Sequence, residues 1–274
     1  MLVNIKQWYR PESLAEAVEF MHLPGVVPYA GGTSFHRGGQ KNISGLIDLR
    51  RLGLNYIKEM PEATIIGAAV TFNTISRQAW SDGRIILRQA LSRAASHSLR
   101  NLITIGGSLV ARPSWTNLSS ALLVSDAKVE VVGEESGIFS VEEVLQNGML
   151  KSKSLVIKII IPTSSGEGCY FRYARTAFDY SIAEVAAYWE IENQQVKTFR
   201  LAIANLLPVA RRLPEIEAQI IGRNIAELNP EEITIDNNLK MVTNQNFSNE
   251  FRLNLINQWL QQVVRQLMEP AHAS

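Results

Sequence analysis

Two glycine pairs constrain this chain of 274 residues more than any other feature. Ala30-Gly31-Gly32-Thr33-Ser34 and Thr104-Ile105-Gly106-Gly107-Ser108 each set a hydroxyl residue directly behind paired glycines. Glycine lets a backbone approach a ligand closely and take positive φ, which can turn successive N–H groups toward one anion. Each pair taken alone also reads as a tight turn. Two similar loops, each after a strand-like run in one domain, admit a further reading in which one dinucleotide shares its pyrophosphate between them. Neither loop continues with the spacing of a Rossmann GxGxxG or a P-loop. Local chemistry therefore names no particular dinucleotide.

The hydrophobic periods around the loops alternate between strand and helix. Ser13-Leu14-Ala15-Glu16 is a capping box, and Leu14, Ala17, Val18 and Met21 behind it recur at helical spacing. Pro24 and Gly25 stop that helix. GVVPYA and LIDL read as strands on either side of the first glycine loop, and TIIGAAV reads as a buried strand. Leu87, Ala90, Leu91, Ala94 and Ala95 form a helical stripe, and a second short helix opens near Asn117. Val129 and Val131 alternate with charged neighbours, and Leu155 to Ile161 is another strand. Thr163 to Gly168 is polar and glycine-containing, which suits a linker. Residues 182–192 and 197–206 then read as a strand pair around Asn193-Gln194-Gln195. Ile256, Trp259, Leu260, Val263, Val264 and Leu267 share one face of a closing helix. The economical division is two domains, 1–165 (subdomains about 1–55 and 56–165) and 166–274.

Composition excludes several function classes. A formal net charge of +1 gives no electrostatic case for nucleic acid or an acidic membrane. No apolar run is long enough to span a bilayer, and MLVNIKQWYRPESL lacks the pattern of a signal peptide, so a cytoplasmic location is expected. Cys169 is the sole cysteine, which excludes an internal disulfide, a Cys-ligated zinc and an iron–sulfur cluster held by this chain alone. His22, His36, His97 and His272 are scattered without metal-ligand spacing. Any redox metal is expected on another polypeptide.

Taken in order, AGGTSF, IGAAVTFNTI, LRNLITIGGSLVARPSWTNLSSALLVSDAKVEV, IIIP and FRYARTAFDYSIAEVAAY resemble the FAD-binding subunit of molybdenum hydroxylases. That family includes the medium subunit of carbon monoxide dehydrogenase and the flavin portion of xanthine dehydrogenase. The likeness extends from Trp8 to NFSNEFRLNLINQWLQQVV, and its most diagnostic piece is RNxxTIGGxL with SALL-x-x-DA downstream. The resemblance implies an α+β fold in which FAD is held between two subdomains, followed by a smaller α+β C-terminal domain. It further implies that Ala30, Gly31, Gly32, Thr33 and Ser34, with Thr104, Ile105, Gly106, Gly107 and Ser108, clasp the FAD pyrophosphate through backbone N–H groups. The family's basic flavin contact corresponds to Arg172 and its aliphatic contact to Val156.

One departure stands out. Where the family commonly reads A-x-P-x-x-D-L, this chain has Ala111-Arg112-Pro113-Ser114-Trp115-Thr116-Asn117-Leu118. Asn117 keeps a carbonyl acceptor for an FAD hydroxyl but loses the charge, a weakening of roughly 1 kcal/mol. Asparagine also suits a helix N-cap. Arg112 and Trp115 are bulkier than the small residues usual in this turn.

The resemblance implies electron transfer with no catalytic side chain on this chain; His97 and Asp179 are read as structural. A partner carries the molybdenum cofactor and another carries [2Fe–2S] clusters, with NAD+ or another acceptor taking electrons from non-covalent FAD. Two alternatives remain: a flavin-free structural subunit, and a self-contained FAD oxidoreductase.

Overall fold

Residues 4–37, 42–111, 116–147, 153–236 and 239–269 are described by the structure, a computed structural model. The chain forms two compact units: Met1–Arg77, Ala95–Pro113 and Asp126–Thr163 make the first, and Gln78–Ala94, Ser114–Ser125 and Ser164–Ser274 the second. Two helical segments from the first 125 residues therefore belong with the C-terminal sheet.

In the first unit, β1 (Gln7–Tyr9), β3 (Gly45–Asp48) and β2 (Val26–Tyr29) form a parallel sheet in that spatial order. Helix α1 (Leu14–Met21) supplies the crossover to β2 that parallel strands require. Ser13 caps it by accepting from Glu16 N–H at 3.1 Å, while the Glu16 carboxylate takes Glu12 N–H at 2.8 Å. The capping box thus reaches one residue further back than the usual form. Ala17 and Met21 pack with Val26 and Ile47 in the core of this layer.

The same unit holds an antiparallel sheet in the order β4 (Ile57–Glu59), β5 (Ala63–Gly67), β8 (Ser154–Pro162), β6 (Lys128–Gly133) and β7 (Gly137–Ser140). Its helices are α2 (Phe72–Ser76), α4 (His97–Arg100), α5 (Ile105–Ala111) and α7 (Val141–Asn147). Strand β8 is central, with six of its nine residues buried and the other three half-buried.

The second unit is built on an antiparallel sheet in the order β12 (Arg211–Arg212), β11 (Gln195–Ala204), β10 (Ala183–Glu192) and β9 (Glu167–Tyr173). Asn193 and Gln194 both take positive φ, 51° and 62°, as the tight turn between β10 and β11 demands. Strand period then sorts the side chains of β10 to two faces. Ala183, Val185, Ala187 and Trp189 join Phe199, Leu201 and Ile203 in a core shared with α9 (Asn249–Met268) and α8 (Pro214–Ile220). On the other face, Glu184 meets Ser120 of α6 (Leu118–Val124), and Tyr188 packs over Gly83, just ahead of α3 (Ile85–Ser92). Helix α6 is buried along its whole length.

Two sequence expectations change here. The second glycine pair follows no strand; it comes after α4 and opens α5. The expected linker at 163–168 is shorter, because β9 already begins at Glu167. The closing helix buries Arg252 as completely as its apolar residues, with 0% exposure.

Candidate functional site

The first glycine pair ends β2. Gly32 has φ +69°, and a Cβ there would stand 2.5 Å from the Tyr29 ring. Gly31 is required for a different reason: its Cβ would lie 1.6 Å from the Leu102 carbonyl oxygen. The backbone of the first loop therefore rests directly on the residues that lead into the second pair. A larger residue at 31 would push the two loops apart.

Beyond Gly32 the chain enters a 3-10 turn, Thr33–Arg37, closed by Phe35 N–H donating to the Gly32 carbonyl at 3.2 Å. The N–H groups of Gly32, Thr33 and Ser34 have no acceptor among the described residues. Such unpaired donors are a property of any helical start and form a local anion-binding edge. Gly32 is buried, Thr33 half-buried and Ser34 exposed, so the edge runs from interior to solvent.

The second pair is more fully committed within the protein. Ile105 N–H donates to the Val70 carbonyl and Gly106 N–H to the Ala68 carbonyl, both at 2.9 Å. Gly107 N–H donates to the Thr104 hydroxyl at 3.3 Å, so Thr104 caps α5. Gly107 is exposed, and its Cβ would meet that hydroxyl at 2.7 Å and nothing else within 4 Å. The exchangeable donor of this loop is thus Gly107 N–H. Ile105 is fully buried, and Thr104 and Ser108 are nearly so.

Aromatic side chains that the sequence reading passed over border the first loop. Tyr29 lies edge-on to Trp8 at 5.1 Å and parallel to Phe35 at 6.0 Å. Tyr29 and Phe35 flank AGGTS in sequence, whereas Trp8 lies on β1, which pairs with β3, not β2. Asp48, the register partner of Tyr29, is buried and accepts from Arg50 Nε at 2.9 Å. The hydrogen bonds from Arg50 hold its carboxyl below the usual carboxylate range.

Val156 also lies in the first unit, opposite Val131 in the β8–β6 pairing, and is only 2% exposed. Its side chain belongs to the interior. The second unit holds Asn117 and Arg172. Asn117 occupies the N-cap position of α6, yet its carboxamide makes no cap bond and instead donates to the Ala90 carbonyl at 3.2 Å. Thr116 hydroxyl accepts from Leu118 N–H at 3.3 Å. Arg172, on β9, donates to the carbonyl of Asp179, and its Nε is buried without a partner among the described residues. Arg112 and Trp115 lie outside the described residues.

The remaining candidates are held in local contacts. His97 Nε2 lies 3.3 Å from Arg77, and Asp179 pairs with Arg175 at 2.9 Å. Burial pushes the Cys169 thiol well above its ordinary value, which leaves it protonated and unreactive. Among the described residues, no three His, Cys, Asp or Glu side chains gather as metal ligands, and no helix is long and apolar enough to cross a membrane.

Residues 3–164 match the family described as FAD binding domain in molybdopterin dehydrogenase, and residues 169–267 match the CO dehydrogenase flavoprotein C-terminal domain. The glyceraldehyde dehydrogenase medium chain of Sulfolobus acidocaldarius is 25% identical over 230 residues, covering 80% of this chain and 82% of its own. The xanthine dehydrogenase FAD-binding subunit of Escherichia coli is 23% identical over 289 residues, with 98% of each chain covered. The fold superposes on that of quinoline 2-oxidoreductase from Pseudomonas putida 86 with a TM-score of 0.85, at 19% identity and 98% coverage of both chains. The chain belongs to the family of FAD-binding domains of molybdopterin dehydrogenases: it is an FAD-dependent oxidoreductase subunit in which that domain precedes a C-terminal flavoprotein domain.

Proposed function

We propose that this chain is the electron-transfer subunit of a molybdenum hydroxylase, acting in the cytoplasm between a [2Fe–2S] partner and NAD+ or another acceptor. The molybdenum cofactor belongs to a further partner, where the substrate is oxidised. The names of the xanthine and glyceraldehyde dehydrogenase relatives support a shared assembly of this kind. The observation that carries the reading is the run of N–H donors at Gly32, Thr33 and Ser34 with no acceptor among the described residues, set beside the second glycine pair by the Gly31–Leu102 contact.

These residues fit a pyrophosphate. Gly32, Thr33 and Ser34 offer backbone donors to its oxygens, and Gly107 offers one more in exchange for its long bond to Thr104. Ala30 and Gly31 keep the two loops in register, while Ile105, Gly106 and Ser108 anchor the second loop from the interior. Val156 in the first unit and Arg172 in the second are each proposed as flavin contacts, Arg172 as a positive charge tied to the Asp179 carbonyl. Asn117 is a proposed acceptor for a cofactor hydroxyl through its amide oxygen.

When bound, FAD would supply a carrier able to take electrons singly and give them up in pairs, the chemistry needed between a cluster relay and a hydride acceptor. The chain's own contribution is binding, orientation and burial. Its single, inert cysteine accords with clusters carried elsewhere.

The test is purification of the chain from its native source under mild conditions, with identification of co-purifying polypeptides and their metals. A complex containing molybdenum and iron whose flavin is reduced when the partner's substrate is added supports the proposal. A chain that purifies alone and oxidises a substrate by itself contradicts it.

A further inference from the structure

The even face of β10 carries a carboxyl at its buried start, beside Ala186 and Tyr188. Glu184 is 0% exposed. Its Oε1 accepts from Ser181 Oγ and from Asn205 Nδ2 at 2.9 Å, and its Oε2 accepts from Ser120 Oγ at 3.3 Å. Asn205 Nδ2 also reaches Ser181 Oγ at 2.5 Å. Asn205 itself has φ +71°, an uncommon backbone state for a residue other than glycine. Its Oδ1 is buried with no donor among the described residues.

Ser181 is the foot of the connection from β9 to β10. Ile182 N–H closes that connection on the Tyr173 carbonyl at 2.8 Å, and Arg172 holds the Asp179 carbonyl within it. The tip is open to solvent, with Phe178 68% and Tyr180 50% exposed. The tie at Ser181 therefore fixes one end of a segment whose tip has little packing.

We propose that Glu184 is a proton-operated latch on the 174–182 connection: as a carboxylate it holds Ser181, and on taking up one proton it loosens that hold. A hydroxyl bonds an ionised carboxylate about twice as strongly as a neutral acid. Protonation therefore weakens the Ser181 tie while the remaining carbonyl oxygen still accepts from Asn205 Nδ2. The proton comes from solvent and returns to it when the latch closes.

Electrostatics place the change in a usable range. Burial pushes the Glu184 carboxyl up to about 7, against the downward pull first of Ser181, then of Tyr170, Asn205 and the Arg172 charge. Release of Ser181 removes one of those opposing groups, so opening and proton uptake favour one another. The groups facing the site are Tyr170 and Arg172 from β9, and the Ser120 hydroxyl from α6. Arg252 from α9 acts through the Asn205 carbonyl at 3.3 Å, and Arg93, beyond α3, faces Tyr170. Arg172 is the register partner of Glu184, so the cation stays beside the carboxyl in both states.

Hydrogen–deuterium exchange of the full chain tests this at the Ile182 amide and in peptides spanning 174–182, after correction for the intrinsic pH dependence of exchange. Protection in the wild type rises roughly tenfold between about pH 6 and about pH 8, as one linked proton predicts. Glu184→Gln abolishes that rise. Ser181→Ala leaves the carboxyl in place and gives an unprotected connection at every pH, with β10 still protected; it decides the matter if the Glu184 variant does not fold. Wild-type protection that stays flat across this range, or the same rise in either folded variant, overturns the proposal.

Discussion

Asn117 donates its carboxamide hydrogen to the Ala90 carbonyl at 3.2 Å, joining the start of α6 to α3 inside the second unit. Aspartate, the residue usual at this place in the family the sequence resembles, could not make that bond while ionised. The departure from the motif thus has a structural use in this chain, whatever it does at the cofactor. Asn117→Asp is expected to destabilise the protein by about 2 kcal/mol, because it buries a carboxylate against a carbonyl and leaves that carbonyl unpaired. Denaturant unfolding measures the loss, which deepens as pH rises and the new carboxyl ionises.

The two glycine loops separate fold from binding. Gly31→Ala forces a Cβ onto the Leu102 carbonyl, and is expected to cost on the order of 3 kcal/mol and to lower the melting temperature. Gly107→Ala meets only the Thr104 hydroxyl, so the fold survives with a change under about 1 kcal/mol. Flavin affinity should nonetheless fall in the second variant. Parallel thermal melts and FAD titrations distinguish the two effects.

Much of this layout is visible in the sequence before any coordinates. The alternation of β10 and β11 around Asn193-Gln194 and the apolar stripe of α9 both follow from period. Helices α3 and α6 are likewise visible as helices. Their attachment to the C-terminal sheet is not, because periodicity marks a buried face without naming what buries it. The second glycine pair shows the same limit: TIGG reads identically as a loop after a strand and as the capped start of α5. Arg252 and Glu184 were missed since a charged residue in an apolar stripe reads as a solvated edge, and their partners lie far along the chain. Asn205 and Val242 supply carbonyls to Arg252, and Asn205 meets Glu184.

Arg252 offers a check on that hidden network. Its guanidinium donates to the Asn205 and Val242 carbonyls and to the Asn249 side chain. Arg252→Ala leaves these acceptors unpaired in the interior and is expected to cost about 3 kcal/mol. Chemical denaturation reads the loss. Arg252→Lys should recover only a minor part, having a single point of donation in place of the planar fork.

Glu184 has a consequence for global stability that is separate from the latch. Its folded-state pKa, about 7, lies above the ordinary 4.5, so the folded protein favours the protonated form. The associated stability is fully present below about pH 4.5 and is lost as pH rises through about 7, a change on the order of 3 kcal/mol. Unfolding midpoints of the wild type and Glu184→Gln measured across that range should converge or diverge accordingly. The variant is expected to lack this downward component.

The central claim is that the Gly32–Ser34 turn binds the FAD pyrophosphate through its backbone. Thr33→Pro removes one N–H from that turn while proline's fixed φ suits the first position of a 3-10 helix. FAD titration of the apoprotein, followed by flavin absorbance at about 450 nm, measures the effect directly. The expected result is a folded variant whose Kd for FAD is raised about tenfold or more, the loss of one hydrogen bond to a charged group. A folded Thr33→Pro protein that binds FAD as tightly as the wild type would contradict it.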